Sequence, residues 1–232
     1  MNEEFQENLS INVTDTVAAG DAIGGSKPQK ETNEDPIARQ IEEEMQYLKR
    51  YVKPHNKPSR LVTEADIPKV LEEAKVMLKL CHIPRGYAGS AAAIAHTQIE
   101  SDDPMRFFIL QDGFLIVNPE IIKHTRHPVE KEEGCMSYPE ELKKRVPRYN
   151  KVVVKFQAII RGEFDKEKLY LSDFREDNLD GHIANIFQHE CSHLNGSNIY
   201  DEDFTADSAV GIITREDVDK DEETPEPRGK KK

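Results

Sequence analysis

The chain has 232 residues, 37% of them hydrophobic, and a formal net charge of −12 at pH 7. This length suits one hydrophobic core of ordinary domain size and argues against a second full domain. The acidic balance argues against a basic nucleic-acid-binding face, and no run approaches the roughly 18 apolar residues needed to span a bilayer. Because the N-terminus also lacks a secretion signal, we expect a cytoplasmic protein without nucleic-acid or membrane partners.

The two ends of the chain differ in composition from its middle. Residues 1–36 carry eight acidic and two basic side chains, and glycine, serine and proline interrupt any periodicity. Residues 216–232 carry seven acidic and five basic side chains and no aromatic residue. Such segments bury too little apolar surface to fold. We therefore predict disordered ends at 1–36 and 216–232 around one folded domain at 37–215.

Apolar residues at three- and four-residue spacing predict three helices in the middle segment. The first covers residues 37–52, and the second runs from about Asp66 to Leu80. The third runs from about Asp180 to Leu194 and stops near Gly196, because glycine tolerates the left-handed conformation that ends helices. Runs rich in β-branched and aromatic residues predict strands joined by short connections, which favour antiparallel pairing. These runs are Met105–Leu110, Gly113–Val117, Lys151–Ile160 and Lys168–Leu171.

The third predicted helix contains the pattern H-E-x-x-H. On a helix this spacing puts His189 and His193 one turn apart on one face, where both imidazoles can bind one metal ion, with Glu190 beside it. Apolar residues on the same helix predict that the histidines emerge at the edge of a packed core. The alternative is a pair of histidines that simply pack on a surface helix.

A catalytic metal usually takes three protein ligands, so the two histidines need a partner from elsewhere in the chain. Cys135 is the best candidate, because it lies in the segment E-G-C-M-S-Y-P, where glycine permits a close backbone approach and proline ends the segment. Taken alone, Cys135 would more often be a buried structural thiol. Cys81 and Cys191 instead read as small hydrophobic residues of the core.

Three segments of the sequence together resemble the motifs of peptide deformylases. E-G-C-M-S at 133–137 and Q-H-E-C-S-H at 188–193 are similar to the second and third motifs, and A-A-A-I-A-H-T-Q at 91–98 is similar to the first. The resemblance covers roughly residues 60–205. It implies an α+β fold in which curved, mostly antiparallel sheets surround the H-E-x-x-H helix, and it makes residues 37–215 the catalytic domain.

The resemblance also implies a reaction, in which water attacks the formyl group of an N-formylmethionyl peptide beside a divalent metal ion and formate leaves. Fe(II) is favoured as the metal, with Zn(II), Ni(II) or Co(II) as alternatives. The substrates would be nascent peptides, with a possible association with the ribosome. The implied metal ligands are Cys135, His189 and His193, and Glu190 takes the proton of the water. The Gln98 side chain and the Met136 backbone N–H stabilise the oxyanion. Glu133 and Arg148 orient the cysteine loop.

The sequence departs from the family pattern at several positions near these motifs. Each departure replaces a glycine, an alanine, an aspartate or an apolar pocket residue of the family, and His96 is expected on the surface. The positions are Ala91 and Ala93 for glycine, His96 for alanine, Ser192 for aspartate, and His182 and Asn185 in the methionine pocket.

Two other functions compete with the deformylase interpretation. A non-enzymatic binding protein on the same scaffold would explain the weakened first motif, although the set of Gln98, Glu190 and the three ligands argues against it. An unrelated zinc peptidase would explain H-E-x-x-H, but it would not explain E-G-C or Gln98. Turnover of a formylated peptide discriminates among the three.

Overall fold

The structure is a computed structural model that describes residues 46, 52, 57–83, 91–138, 143–162 and 164–210. These residues include two α-helices of more than one turn, α1 (Ile67–Cys81) and α2 (Gly181–Leu194), and nine strands. The strands are β1 (Ala93–Ala95), β2 (Phe107–Leu110), β3 (Leu115–His124), β4 (Pro128–Glu133), β5 (Lys144–Tyr149), β6 (Lys151–Gln157), β7 (Ile159–Arg161), β8 (Leu169–Leu171) and β9 (Arg175–Asp180). Of the helix predicted at 37–52, only residues 46 and 52 are described, and the predicted disordered ends lie outside the described ranges. In the described ranges, no helix is long and apolar enough to cross a membrane.

One antiparallel sheet forms the centre of the fold. Its strands lie in the order β1-β2-β3-β6-β9, and every neighbouring pair is antiparallel. The pairing of β3 with β6 shifts register twice, between Val117 and Glu120 and between Ile121 and Lys123, and such irregularities bend a sheet. Strands β4 and β5 form one separate hairpin and β7 and β8 another. The predicted α+β class with curved, mostly antiparallel sheets is confirmed.

Helix α1 covers one face of the sheet and confirms the prediction made from its periodicity. It buries a single stripe of apolar side chains and contacts β1 and β2. Pro68 lies in its first turn, where a missing backbone N–H costs nothing. The buried stripe consists of Ile67, Val70, Ala74, Met77, Leu78, Leu80 and Cys81.

Helix α2 packs through its apolar side chains against a second core cluster, separate from the one that contains α1. Phe187 makes an edge-to-face contact with Phe108, with the ring centres 5.0 Å apart, and Cys191 is fully buried in the same cluster. Cys191 is therefore a core residue, as predicted. The histidines of α2 lie where this core meets the β4–β5 hairpin, so the helix is fixed before any ligand binds.

The end of α2 is closed by a distant part of the chain. The carbonyl of Leu194 accepts hydrogen bonds from the backbone N–H of Ser59 (2.9 Å) and from its hydroxyl (2.8 Å). Gly196 has a φ of +79°, and a Cβ there would lie 2.8 Å from the backbone nitrogen of Pro58. Glycine is therefore required both by the backbone conformation and by the close approach of residues 57–58.

The strands differ from the prediction in two ways. The run at 151–160 divides at Ala158 into β6 and β7, because Ala158 leaves the central sheet and pairs through its N–H and C=O with Ser172. Strands β1, β5, β4 and β9 were not predicted. β1 has only three residues and Pro147 interrupts β5, whereas the sequences PVEKEE of β4 and REDNLD of β9 lack apolar alternation. Both are largely solvent-exposed, and β9 is an edge strand, so burial imposes little pattern on them.

Candidate metal centre

Three potential metal ligands from two distant segments meet at the C-terminal half of α2. The Sγ of Cys135 lies 3.2 Å from Nε2 of His193, which lies 3.3 Å from Nε2 of His189. The ligand atoms of all three residues lie within 4.8 Å of one another. Cys135 and His193 are buried, and His189 is partly buried. The structure thus brings together the three residues that the sequence indicated as ligands.

The separations of these atoms fit one tetrahedral ion. Typical zinc bond lengths of about 2.0–2.1 Å to nitrogen and about 2.3 Å to sulfur place two nitrogens about 3.3 Å apart and a sulfur and a nitrogen about 3.6 Å apart. The nitrogen–nitrogen separation of 3.3 Å matches this geometry, and the sulfur–nitrogen separation of 3.2 Å is somewhat shorter than it. Because a closed structural site has four protein ligands, a three-residue set leaves one position for water or substrate.

The cysteine reaches α2 from the end of strand β4. After Glu133 the chain turns within the connection from β4 to β5. The N–H of Tyr138 donates to the carbonyl of Cys135 at 3.1 Å. Cys135 packs in a small buried cluster with Val146 and Ile199. The close approach expected at Gly134 is absent, because a Cβ there would meet no heavy atom within 4 Å.

A buried ion pair lies directly behind the ligands. Arg148 of β5 is fully buried and donates two hydrogen bonds to Glu133, from Nε to Oε1 and from Nη2 to Oε2, each 2.8 Å long. The same carboxylate lies 2.9 Å from Nδ1 of His189. A donated Nδ1–H fixes the imidazole so that Nε2 faces the other ligands. Ser192 completes the group, with its hydroxyl 3.2 Å from Nη1 of Arg148.

The charges in and beside this group shift the pKa of Glu133, His189 and Cys135. Burial alone would raise the pKa of Glu133, but hydrogen bonds from Arg148 and His189 lower it to about 2. Burial opposes protonation of His189, yet hydrogen bonds to Cys135 and Glu133 raise its pKa to about 10. Burial would also raise the pKa of Cys135, but the charge of His193 and hydrogen bonds from both histidines hold it well below the usual thiol value. A thiolate is the form that binds metals.

Glu190 lies in the same buried region without a complete set of partners. Its side chain is 4% exposed, and its Oε2 has no hydrogen-bond partner among the residues that the structure describes. Burial raises the pKa of this carboxyl above its ordinary value. A buried carboxylate oxygen without a donor is costly unless a bound group supplies one, so Glu190 is poised to accept a proton from a molecule in the site.

Gln98 approaches the centre from the other side of the fold. It ends a short 3-10 helix, His96–Gln98, that follows β1. Its Oε1 accepts the N–H of Ala95 at 2.9 Å, which turns the amide nitrogen toward Ser137 Oγ (3.2 Å) and Cys135 Sγ (3.7 Å). The amide assignment follows from this network. Gln98 therefore presents N–H groups beside the thiolate.

The remaining predicted residues lie around these groups. Met136 directly follows Cys135, and its partly buried side chain packs against the α1 core. His182 is exposed, and Asn185 is partly buried on the turn of α2 before His189. Ala91 and Ala93 need no left-handed backbone, because Asn118 is the one non-glycine residue with positive φ in the described ranges. The alanines in the first motif are therefore compatible with its backbone.

The expectation that His96 lies on the surface is wrong. Its side chain is fully buried, with Nε2 2.6 Å from Oε2 of Glu73. Sequence reasoning also missed Glu73 as the partner of His96 and Ser137 as a neighbour of Gln98. A histidine two residues before a functional glutamine was the available signal, but its partner Glu73 lies 23 residues earlier in the chain, a separation that periodicity does not reveal.

The comparisons with known proteins agree in naming one family. The family model described as Polypeptide deformylase matches residues 53–205. The peptide deformylase of Thermotoga neapolitana is 37% identical over 99 residues, which cover 41% of this chain and 53% of that protein. Peptide deformylase 2 of Bacillus anthracis is 39% identical over 88 residues, which cover 37% of this chain and 42% of that protein. The chain thus spans about half the length of the curated relatives it matches.

Solved structures with the same name are also similar. The crystal structure of peptide deformylase from Thermotoga maritima has 26% sequence identity and a TM-score of 0.44, and the match covers 66% of this chain and 88% of that one. The family model covers well over half of the chain and includes all three potential ligands. This chain belongs to the polypeptide deformylase family.

Proposed function

We propose that this protein is a metal-dependent hydrolase that removes the formyl group from N-formylmethionyl peptides. One observation carries the proposal: Cys135, His189 and His193 converge within 4.8 Å, on a chain of the deformylase family. The carboxylate oxygen Oε2 of Glu190 beside them, which has no partner in the described part of the chain, supports hydrolysis rather than a structural metal site. The match to about half of each curated relative makes the activity a proposal to be tested by turnover.

Cys135, His189 and His193 would hold one divalent metal ion, which would supply Lewis-acid chemistry by making water more acidic and polarising the formyl carbonyl. We propose Fe(II) as the ion in the cell, with Zn(II), Ni(II) or Co(II) as substitutes, because a thiolate with two imidazoles suits all four. Glu133 and Arg148 hold the imidazole of His189 and the cysteine loop in place.

The protein residues then divide the work of the reaction. Glu190 accepts the proton of the attacking water and returns it to the leaving amine. The amide N–H of Gln98 and the backbone N–H of Met136 donate hydrogen bonds to the oxyanion that forms on the formyl oxygen. Formate and a peptide with a free amino group are the products. The substrate class is nascent peptides in the cytoplasm, with a possible ribosome association.

Formate release tests the activity directly. Protein loaded anaerobically with Fe(II), or with Ni(II) or Co(II), is expected to release formate from a formyl-Met peptide, as measured by a coupled formate assay. Glu190→Gln should lower kcat by at least about 100-fold, the scale of a lost general base, while it retains the metal. Glu176→Gln, at an exposed position of β9, is the matched control and should leave kcat unchanged. Metal-loaded wild type without formate release would refute the activity and favour a binding protein.

A pair of cysteine variants tests the ligand assignment. Cys135→Ala should remove most of the metal measured by elemental analysis, because a three-ligand site then keeps two imidazoles. Cys191→Ala, also on a buried thiol, should keep one ion per chain. Equal metal loss in the two variants would contradict the assignment of Cys135.

A further inference from the structure

We infer that His96 is a positioning residue that holds Gln98 in its donor orientation, an inference that rests on the proposed function. His96 and Gln98 are the first and last residues of one 3-10 helix, and both are buried. His96 does not reach the metal centre itself. It acts by tying the helix to two other parts of the fold.

Both ring nitrogens of His96 are engaged. Nε2 lies 2.6 Å from Oε2 of Glu73 on α1, and Nδ1 accepts the backbone N–H of Met105 at 2.8 Å. A ring with its proton on Nε2 makes both contacts at once. The ring also stacks on Phe107, with centres 4.5 Å and planes 25° apart. Two hydrogen bonds in different directions and one stacked face leave the imidazole a single orientation.

The same helix fixes the orientation of the Gln98 amide. The carbonyl of His96 accepts the N–H of Ile99 and of Glu100, each at 3.0 Å, which closes the turn around Gln98. Oε1 of Gln98 accepts the N–H of Ala95, the residue before His96. A shift of residues 95–96 would therefore rotate the Gln98 amide away from Ser137 and Cys135. Oxyanion donors stabilise a transition state only when they are already aligned.

The charge and burial of the contact favour a specific role over simple filling of space. Glu73 is partly exposed, with 23% of its side chain accessible, and also lies 3.7 Å from Lys69. A carboxylate so placed binds the imidazole of a fully buried residue with a short, charge-assisted hydrogen bond. The link therefore joins α1, which contributes no ligand in the described structure, to the donor side of the site.

A double-mutant cycle tests this role. His96→Ala should lower kcat for formate release by about 10- to 100-fold with little change in KM, as expected for a misplaced transition-state donor. In a Gln98→Ala background the same substitution should change kcat by less than about 3-fold, because the donor it positions is gone. Gln157→Ala, at a polar residue bonded to Asn118 and Ser172, is the control and should leave kcat unchanged. An equal loss of kcat in both backgrounds would overturn the inference.

Substitutions at Glu73 keep the test decisive if His96→Ala does not fold. Glu73→Gln retains an oxygen that accepts the Nε2–H and should stay within about 3-fold of wild-type kcat. Glu73→Ala removes the acceptor and should lower kcat by about 10-fold or more. Equal kcat in the two variants would contradict the link.

A spectroscopic readout separates this inference from the proposed activity. In Zn(II)-loaded protein with nitrogen-labelled glutamine, the side-chain amide of Gln98 gives a resonance that is assigned by its loss in Gln98→Ala. His96→Ala should shift or broaden this resonance, and Gln157→Ala should not. No formate release by wild type, together with the expected shift, would refute the activity and keep the positioning role. An unchanged resonance would refute the positioning role whatever the activity.

Discussion

Two arginine–carboxylate groups use the same chemistry in opposite environments. Arg148 is fully buried and makes a bidentate pair with Glu133, behind the candidate ligands. Arg60, which precedes α1 and has 40% of its side chain exposed, binds both Asp66 and Asp103. Arg60 has the larger number of ionic partners. Burial, rather than the number of partners, decides which group the fold depends on, because water replaces a lost partner only at the surface.

The sharpest way to break this comparison is to remove each guanidinium. Arg148→Met leaves the Glu133 carboxylate buried beside His189 and should lower the free energy of unfolding by about 3–5 kcal/mol. Arg60→Met should cost at most about 1 kcal/mol, because Asp103 remains hydrated and Asp66 keeps its hydrogen bonds from Thr63. Urea unfolding of both variants measures the difference. Similar losses would show that burial does not set the importance of these groups.

The next largest effect should fall on metal affinity. Glu133→Gln removes the carboxylate that orients His189, and loss of such a partner typically lowers metal affinity by about 10- to 100-fold. Glu132→Gln changes the neighbouring residue of β4, whose side chain is 59% exposed, and should leave the affinity unchanged. Competition with a chelator measures both. Equal affinities for the two variants would mean that Glu133 supports the fold alone.

The smallest expected effect is on the free energy of unfolding that Asp66, the partner of the exposed Arg60, contributes, and this contribution depends on pH. Hydrogen bonds from Arg60 hold the pKa of Asp66 well below its usual value, against the opposing effect of partial burial and with further help from Thr63. A depressed pKa contributes stability above the unfolded value of about 3.9 and loses it as the pH falls below that value. Asp66→Asn should therefore cost about 1 kcal/mol near neutral pH and progressively less under acid. Urea titrations across this range check the sign, and a gap that widens in acid would contradict it.

The sequence predicted the parts of the molecule whose pattern is local. Three such patterns each lie within one segment, and all appear in the structure. They are the periodic apolar residues of α1, the H-E-x-x-H spacing, and the apolar runs of β2 and β6. Strands β4 and β9 escaped prediction because exposed, charged strands carry no alternation. Cys135 was predicted as the third ligand from its own segment and from the family resemblance, because periodicity cannot link it to His193, 58 residues later.

The environment of His96 shows why other parts of the site could not be predicted. Its contacts come from Glu73 of α1 and from Met105 and Phe107 at the start of β2, two segments that lie before and after it in the sequence. Its burial follows from packing those elements together, and single-residue polarity favoured the surface instead. Ser192 is a similar case, because its contact with Arg148 depends on how β5 crosses α2.

The hydrogen bonds between Ser59 and the end of α2 constrain when the protein can finish folding during its synthesis. The hydrogen bonds from Ser59 to Leu194 join residues 135 positions apart. His193 is the last of the three candidate metal ligands to emerge from a ribosome. An early segment of the chain must therefore wait, with its polar groups hydrated, until nearly the whole domain has been translated. Assembly of the three candidate metal ligands is consequently a late event in the synthesis of the chain. A polypeptide that ends before His193 lacks the complete set of ligands.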